Sequence, residues 1–284
     1  MFDQRRAIAT SGPVKFAAHI ATDELGIAAS ANGSFGEFVL QGNLTAKNLS
    51  AYDDFKLDLK SSGPSLRNAG ALAGYTDLPD APYSLAVNAV RSEQGLELQQ
   101  FSFDTAGLTI NGTGVAHKLP ELRDFELQFV ASGDSLYSLT QLFDLPFESR
   151  EAFAVSASVV GNGESGSDEL RAELQLGSTQ GSVTGSLSEA ADFAGSAFKV
   201  VLNSPNVQPL ATAIGLVWRE PQALTFSASA VIDKDAVRIT GIDATLADSV
   251  LAGAATLNRQ SDTVGLSGTL AGPDIAAFVK PLLD

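Results

Sequence analysis

Several short segments carry residue types and spacings that could do chemistry. Gly161-Asn162-Gly163-Glu164-Ser165-Gly166 has the spacing of a glycine loop that cradles a pyrophosphate. That chemistry needs a strand before the loop and a helix opening on it, whose free amides meet the anion. Here Ser167-Asp168-Glu169 follows, then Leu170, Ala172, Leu174 and Leu176 alternating with polar residues. An acidic strand start repels phosphate, so the segment is expected to be a hairpin loop. Ser196-Ala197-Phe198-Lys199 matches a Ser-x-x-Lys nucleophile motif, which requires both side chains on one helix face. The surrounding residues read as a strand, where positions three apart face opposite ways.

The remaining candidates are dispersed. His19 and His117 sit in no metal-ligand spacing and read as surface residues on strands. The carboxylate groups Asp53-Asp54, Asp168-Glu169 and Asp233/Asp235 are expected in solvated loops. Asp233/Asp235 could offer a weak calcium contact, but the chain has no calcium-binding repeat. Asn-x-Ser/Thr sequons stand at Asn32, Asn43, Asn48 and Asn111. No nucleophile, base and orienting partner assemble from these pieces, so the chain is read as a non-enzyme without cofactor or metal.

The elements that position these residues repeat. An aliphatic-x-glycine triplet recurs as Leu40-Gln41-Gly42, Ile110-Asn111-Gly112, Val183-Thr184-Gly185 and Leu251-Ala252-Gly253. Its glycines are 70, 73 and 68 residues apart. A turn with a helix-capping residue follows each triplet: Gly63-Pro64-Ser65, Gly133-Asp134-Ser135, Ser204-Pro205-Asn206 and Gly272-Pro273-Asp274. Each cap leads a short apolar stretch, at 66–75, 136–145, 207–216 and 275–283. Between these stretches the alternation has period two, the mark of strands with one apolar face. Two anchors keeping one period define four units, at approximately 1–75, 76–145, 146–216 and 217–284. Each is expected to hold about four antiparallel strands and a short helix. Stacked, they give a mainly β, single continuous array, one long curved sheet. The alternation slips by one where Leu96 and Leu98 give way to Phe101 and Phe103. It slips again where Val237 and Ile239 give way to Ile242 and Ala244. A β-bulge at both places would explain the slip.

Composition narrows the function. An apolar fraction of 44 % supplies a core despite a net charge of −15. That charge, with Arg5-Arg6 the longest basic run, excludes nucleic acid and polybasic membrane adsorption. There are no cysteines. No stretch approaches the ~18–20 apolar residues of a membrane span, and the first residues are not a signal segment.

The turn-helix anchor also carries a likeness. Ser62-Gly63-Pro64-Ser65-Leu66, then Asp77-Leu78-Pro79 and Pro82-Tyr83-Ser84-Leu85, resembles the C-terminal repeat region of AsmA-like proteins. Ala106-Gly107-Leu108 before Ile110-Asn111-Gly112 fits the same pattern, as does Leu266 to Asp274. The likeness runs from about Phe35 onward, and the third unit departs from it at Ser204-Pro205-Asn206. The resemblance implies a periplasmic module of a protein anchored in the inner membrane of Gram-negative bacteria through a segment outside this chain. It implies β repeats forming an open, taco-like groove with an apolar interior. It implies phospholipid transport and outer-membrane biogenesis, with phospholipid acyl chains and an envelope protein as partners. In some members it implies outer-membrane protein assembly, so a structural module without lipid carriage is the alternative.

Lifting a 16-carbon chain from a bilayer without loss needs on the order of 12 kcal/mol of dry contact, at ~0.8 kcal/mol per CH₂. Only a near-continuous apolar track supplies that. The candidate lining residues are Leu85, Val87, Phe101, Phe103, Ile110, Phe125, Leu127, Phe129, Phe226 and Leu251. The same residues would serve as an ordinary closed core, and the sequence leaves that alternative open.

Overall fold

The computed structural model describes residues 13–23, 26–48, 53–72, 74–75, 78–93, 95–118, 123–143, 149–162, 167–188, 192–213, 217–218, 220–261 and 263–273. The chain is mainly β: about 70 % strand, with sixteen antiparallel strands and three short helices among the described residues. It divides into two units, 1–122 with 141–145, and 123–140 with 146–284.

The first unit holds β1 (Val14–Asp23), β2 (Gly26–Phe35), β3 (Phe38–Asn48), β4 (Asp53–Gly63), α1 (Leu66–Leu72), β5 (Tyr83–Ser92), β6 (Gly95–Thr105) and β7 (Leu108–Lys118). The second begins at β8 (Arg123–Gly133) and the first five residues of α2 (Leu136–Phe143). It continues through β9 (Phe153–Asn162), β10 (Ser167–Leu176), β11 (Thr179–Ser188), β12 (Ala197–Ser204) and α3 (Gln208–Ala213). It ends with β13 (Leu224–Ile232), β14 (Ala236–Leu246), β15 (Ser249–Asn258) and β16 (Val264–Ala271). Within each unit every strand pairs with its neighbours in sequence, and the sheet is not closed. Four strands followed by a helix recur three times, as the period requires. The fourth apolar stretch, with Asp274, lies outside the described residues.

The expected caps are in place. Ser65 Oγ accepts from the Asn68 amide at 3.2 Å, Ser135 Oγ from Tyr137 at 3.3 Å, and Asn206 Oδ1 from Gln208 at 3.0 Å. Each satisfies one amide that a helix start leaves free. A second device closes the same helix starts. The Leu66 amide donates to the Ala81 carbonyl, Leu136 to Glu151, and Val207 to Gln222, at 2.8, 2.9 and 2.8 Å. The acceptor stands fifteen residues on in all three. The next carbonyl serves the hairpin of the following repeat. Pro82 O accepts from Thr105 Oγ1 at 2.9 Å, Ala152 O from the Gly177 amide at 2.8 Å, and Ala223 O from the Ala247 amide at 2.9 Å. Two consecutive carbonyls therefore tie one repeat's helix to the next repeat's hairpin.

The buried core gathers at that end of the strands. Leu66, Leu136 and Val207, which lead the three helical segments, are each 7 % exposed. Beside them lie Thr105 with Leu108, Leu176 with Thr179, and Leu246 with Ser249, flanking three equivalent two-residue turns. Each pair is one leucine and one hydroxyl, in either order, so the filled volume stays similar. Departure of the third repeat from Gly-Pro follows from the same packing. In the first repeat Phe38 lies opposite Gly63, and a Cβ there would run into the phenyl ring. In the third the facing residue is Thr179, which leaves room for Ser204, and the two buried hydroxyls bond at 2.7 Å.

Both bulges occur where the alternation slips. The ladder shifts between Leu98 and Phe101 and between Ile239 and Ile242. Gly241, with φ 59°, takes the left-handed conformation that the second bulge needs. β2 and β10 hold ten residues, β6 and β14 eleven, so the extra residue is the bulge.

Two measurements check this packing. Gly63→Ala should cost about 1–3 kcal/mol in urea denaturation, as overpacking does, with Phe38→Leu in the same chain recovering part of it. Val207→Pro should destabilise more than Val207→Ala, by about 1 kcal/mol or more. Proline is ordinarily tolerated at a helix start, but here it removes the amide that Gln222 accepts and leaves a carbonyl unpaired.

Candidate functional site

Antiparallel pairing places alternate residues on one face, and the ladders align those faces across strands. In the first unit Phe16, Gly33, Leu40, Ser61, Leu85, Phe103 and Ile110 stand opposite one another in turn from β1 to β7. The adjacent row contains Leu59, Val87 and Phe101. Five of the ten candidates thus form one patch. Ser61, the polar member, is satisfied on the same face by the Tyr83 hydroxyl at 2.8 Å.

In the second unit Ala131, Val155, Leu174, Gly181, Leu202, Phe226, Ala244, Leu251 and Leu270 form an unbroken row from β8 to β16. No member is polar or charged. Phe226 and Leu251 belong to it, while Phe125, Leu127 and Phe129 extend the same face along β8. Glycines in these rows lie under large neighbours: a Cβ on Gly161 would meet the Phe125 ring, and one on Gly181 the Leu202 side chain. At about 4.8 Å between strands, nine strands span roughly 38 Å.

None of the ten candidates lies in a closed core. Nine are half-buried and Phe129 is 36 % exposed. β10 shows the contrast between faces: Leu170, Ala172 and Leu174 are half-buried, while Glu169, Arg171, Glu173 and Gln175 are exposed. Sequence reading found the large residues of the strongest alternations and missed Val155, Leu174 and Leu202. Register-matched alignment of the four repeats would have recovered them.

The opposite face mixes polar and charged side chains with exposed valines, Val130, Val160, Val201, Val231 and Val250 among them. It carries shallow concavities open to solvent, one of about 520 Å³ in the second unit beside Val130, Ser156, Glu173, Gln175, Val201 and Asn203. Another, of about 300 Å³, lies in the first unit beside Gln41, Lys60, Ser62 and Ser84.

The segments with apparent chemistry do not converge. Asn162 pairs with Ser167, so β10 opens directly after the glycine-rich segment, whose residues 163–166 lie outside the described ones. Ser196 stands just before β12, buried, its Oγ accepting from the Ser188 amide at 2.9 Å, while Lys199 is exposed on the strand. His19 and His117 are exposed on β1 and β7. Asp233 and Asp235 occupy the β13–β14 turn, where Asp233 pairs with Arg238 at 2.6 Å and Asp235 accepts from Gln260. Two acidic pairs expected in loops are instead in strands. Asp53-Asp54 opens β4 and Asp168-Glu169 lies in β10, because the ladders run on to Asn48↔Asp53 and Asn162↔Ser167. Glu169 is neutralised there by Arg171 at 2.6 Å. Among the described residues no three His, Asp or Glu side chains meet as a metal site, and no helix is long and apolar enough to cross a membrane.

Among the described residues, the titration of Lys47 is displaced. Lys47 hydrogen-bonds the Asp54 carboxylate across the β3–β4 hairpin, and that bond, with the attraction between the charges, holds the Lys47 pKa above its ordinary value. A raised lysine pKa gives stability that is present below the unfolded value and fades as pH rises through the folded one. An NMR titration should place Lys47 above ordinary lysines, and Asp54→Asn should return it.

No model of a known protein family, no curated protein and no solved structure matches this chain.

Proposed function

We propose that this chain is an acyl-chain-carrying β module of the AsmA-like kind, serving phospholipid transport and outer-membrane biogenesis from the periplasm. In that reading the parent protein is anchored in the inner membrane through a segment outside this chain, and the chain catalyses no reaction. The carrying observation is the apolar row of the second unit, nine strands wide, free of polar groups and half-covered. Its span of roughly 38 Å exceeds the ~30 Å hydrocarbon thickness of a whole bilayer, so one acyl chain would find contact along its length. Repetition supports the same reading, because within each unit successive strands present their apolar residues in register. With a net charge of −15, attraction to anionic headgroups contributes nothing, and the contact would be made by the apolar face.

Native mass spectrometry after purification from membranes tests the reading. Phospholipid should remain bound to the wild-type chain. Leu174→Asp with Leu202→Asp should lower occupancy tenfold or more, since about 1.4 kcal/mol already changes affinity tenfold. Ser182→Asp, on the opposite face, should leave occupancy unchanged. A chain that is lipid-free under all conditions, or that retains lipid equally in all three forms, would sink the proposal. A second reading, an assembly module for outer-membrane proteins without lipid carriage, draws on β1 and β16 standing outermost among the described strands. Crosslinking to a β-barrel client with no lipid present would favour it.

A further inference from the structure

We propose that one acyl chain of a phospholipid lies across strands β9 to β12, in a furrow of small side chains on the apolar face of the second unit. The inference rests on the lipid-carrying reading and adds where the chain lies, which way it runs and how much of it is held.

The middle row of that face is its floor. Ala157, Ala172, Val183, Val200 and Ala228 stand opposite one another in turn from β9 to β13. The neighbouring row toward the helix end carries Leu174, Leu202 and Phe226, and the row on the other side carries Val159, Leu170 and Phe198. Ala172 thus lies between two leucines of its own strand, and Val200 between Phe198 and Leu202. β11 has glycine at both flanking positions, and the Leu202 side chain lies over Gly181. Rows on one face are two residues apart, so the two ridges run about 13 Å from each other. The first unit has no such furrow. Its matching row holds Leu59, Val87 and Phe101, with Val87 in the place of Ala157 and Phe101 in the place of Ala172.

The furrow has ends. Phe129, 36 % exposed, faces Ala157 from β8. At the other end Ala228 is covered, only 5 % exposed, where the β13–β14 ladder shifts between Ser227 and Ser229. The four floor residues between these ends are half-buried. Four strands at about 4.8 Å each give an open floor of roughly 19 Å. One bilayer leaflet holds about 15 Å of hydrocarbon, half of the ~30 Å core, so the floor takes one membrane acyl chain lengthwise.

Chemistry selects the occupant. Every residue of the three rows from β9 to β13 is apolar or glycine. An extended peptide laid there would bury N–H and C=O groups without partners. An α-helix with its side chains is about 10–12 Å across, which leaves the ridge side chains no width of their own. An acyl chain is narrow and has no polar group to satisfy.

A palmitoyl lysophosphatidylcholine with a diazirine midway along its acyl chain is the probe. After photolysis with the full-length chain, mass spectrometry should place most adducts in β9, β10, β11 and β12. Ala157→Val with Ala172→Phe installs the residues that the first unit carries at those places, so circular dichroism and the thermal midpoint should stay unchanged. Adducts in β9 to β12 should fall about tenfold in that variant, while those elsewhere on the apolar face persist. Adducts spread evenly over both units, or unchanged in the variant, would overturn the furrow and leave lipid carriage standing. No adduct anywhere would overturn both. If the variant unfolds, the adduct map of the unmodified chain decides alone.

Discussion

Two consecutive backbone carbonyls at each repeat boundary hold the arrangement together. A helix start presents an amide, and the tight hairpin an amide or the Thr105 hydroxyl, each needing an acceptor when shielded from water. Between α1 and β5, between α2 and β9, and between α3 and β13, the returning loop offers one carbonyl to each side. That fixes where the next strand begins, and therefore its register. Register decides everything on the sheet, because a slip of one residue would turn Leu170, Ala172 and Leu174 to the side now held by Arg171 and Glu173. Bulges are the permitted exception: they insert one residue and restore the apolar face beyond it.

Packing follows from the same boundary. The helices do not blanket the sheet. They close one end of it, where leucines and hydroxyls fill a small, repeated core. The exchange of Phe38 over Gly63 for Thr179 beside Ser204 shows how closely volume is matched there. Burying a leucine side chain contributes about 1.5–3 kcal/mol, so a modest core at every boundary can hold its repeat without covering the whole apolar face. The uncovered remainder is what makes a ligand-bearing surface conceivable on this fold.

Much of this was legible in the sequence because it is local. Caps at Ser65, Ser135 and Asn206, the period-two strands and the one-residue slips at Gln99 and Gly241 each leave a signature within a few positions. The carbonyl clamp does not. Ala81, Glu151 and Gln222 share no chemistry in their side chains, since the backbone does the bonding. Hairpin ends were harder than strand middles: Asp53-Asp54 and Asp168-Glu169 look like loop residues, yet the ladder reaches past them. The apolar rows were read in part, through Phe and Leu. Their small members, Gly181, Ala157 and Ala172, show their place only once the strands are paired.

Bulges mark β6 and β14 and are absent from β2 and β10. The four repeats are therefore two kinds in alternation, and the true translational unit is a couplet. From Gly42 to Gly185 is 143 residues, and from Gly112 to Gly253 is 141. Shortening or lengthening such a chain by one repeat would place two bulged or two unbulged copies side by side. Changing it by a couplet would leave the sequence of bends intact, which makes the couplet the natural increment for evolution and for engineering alike.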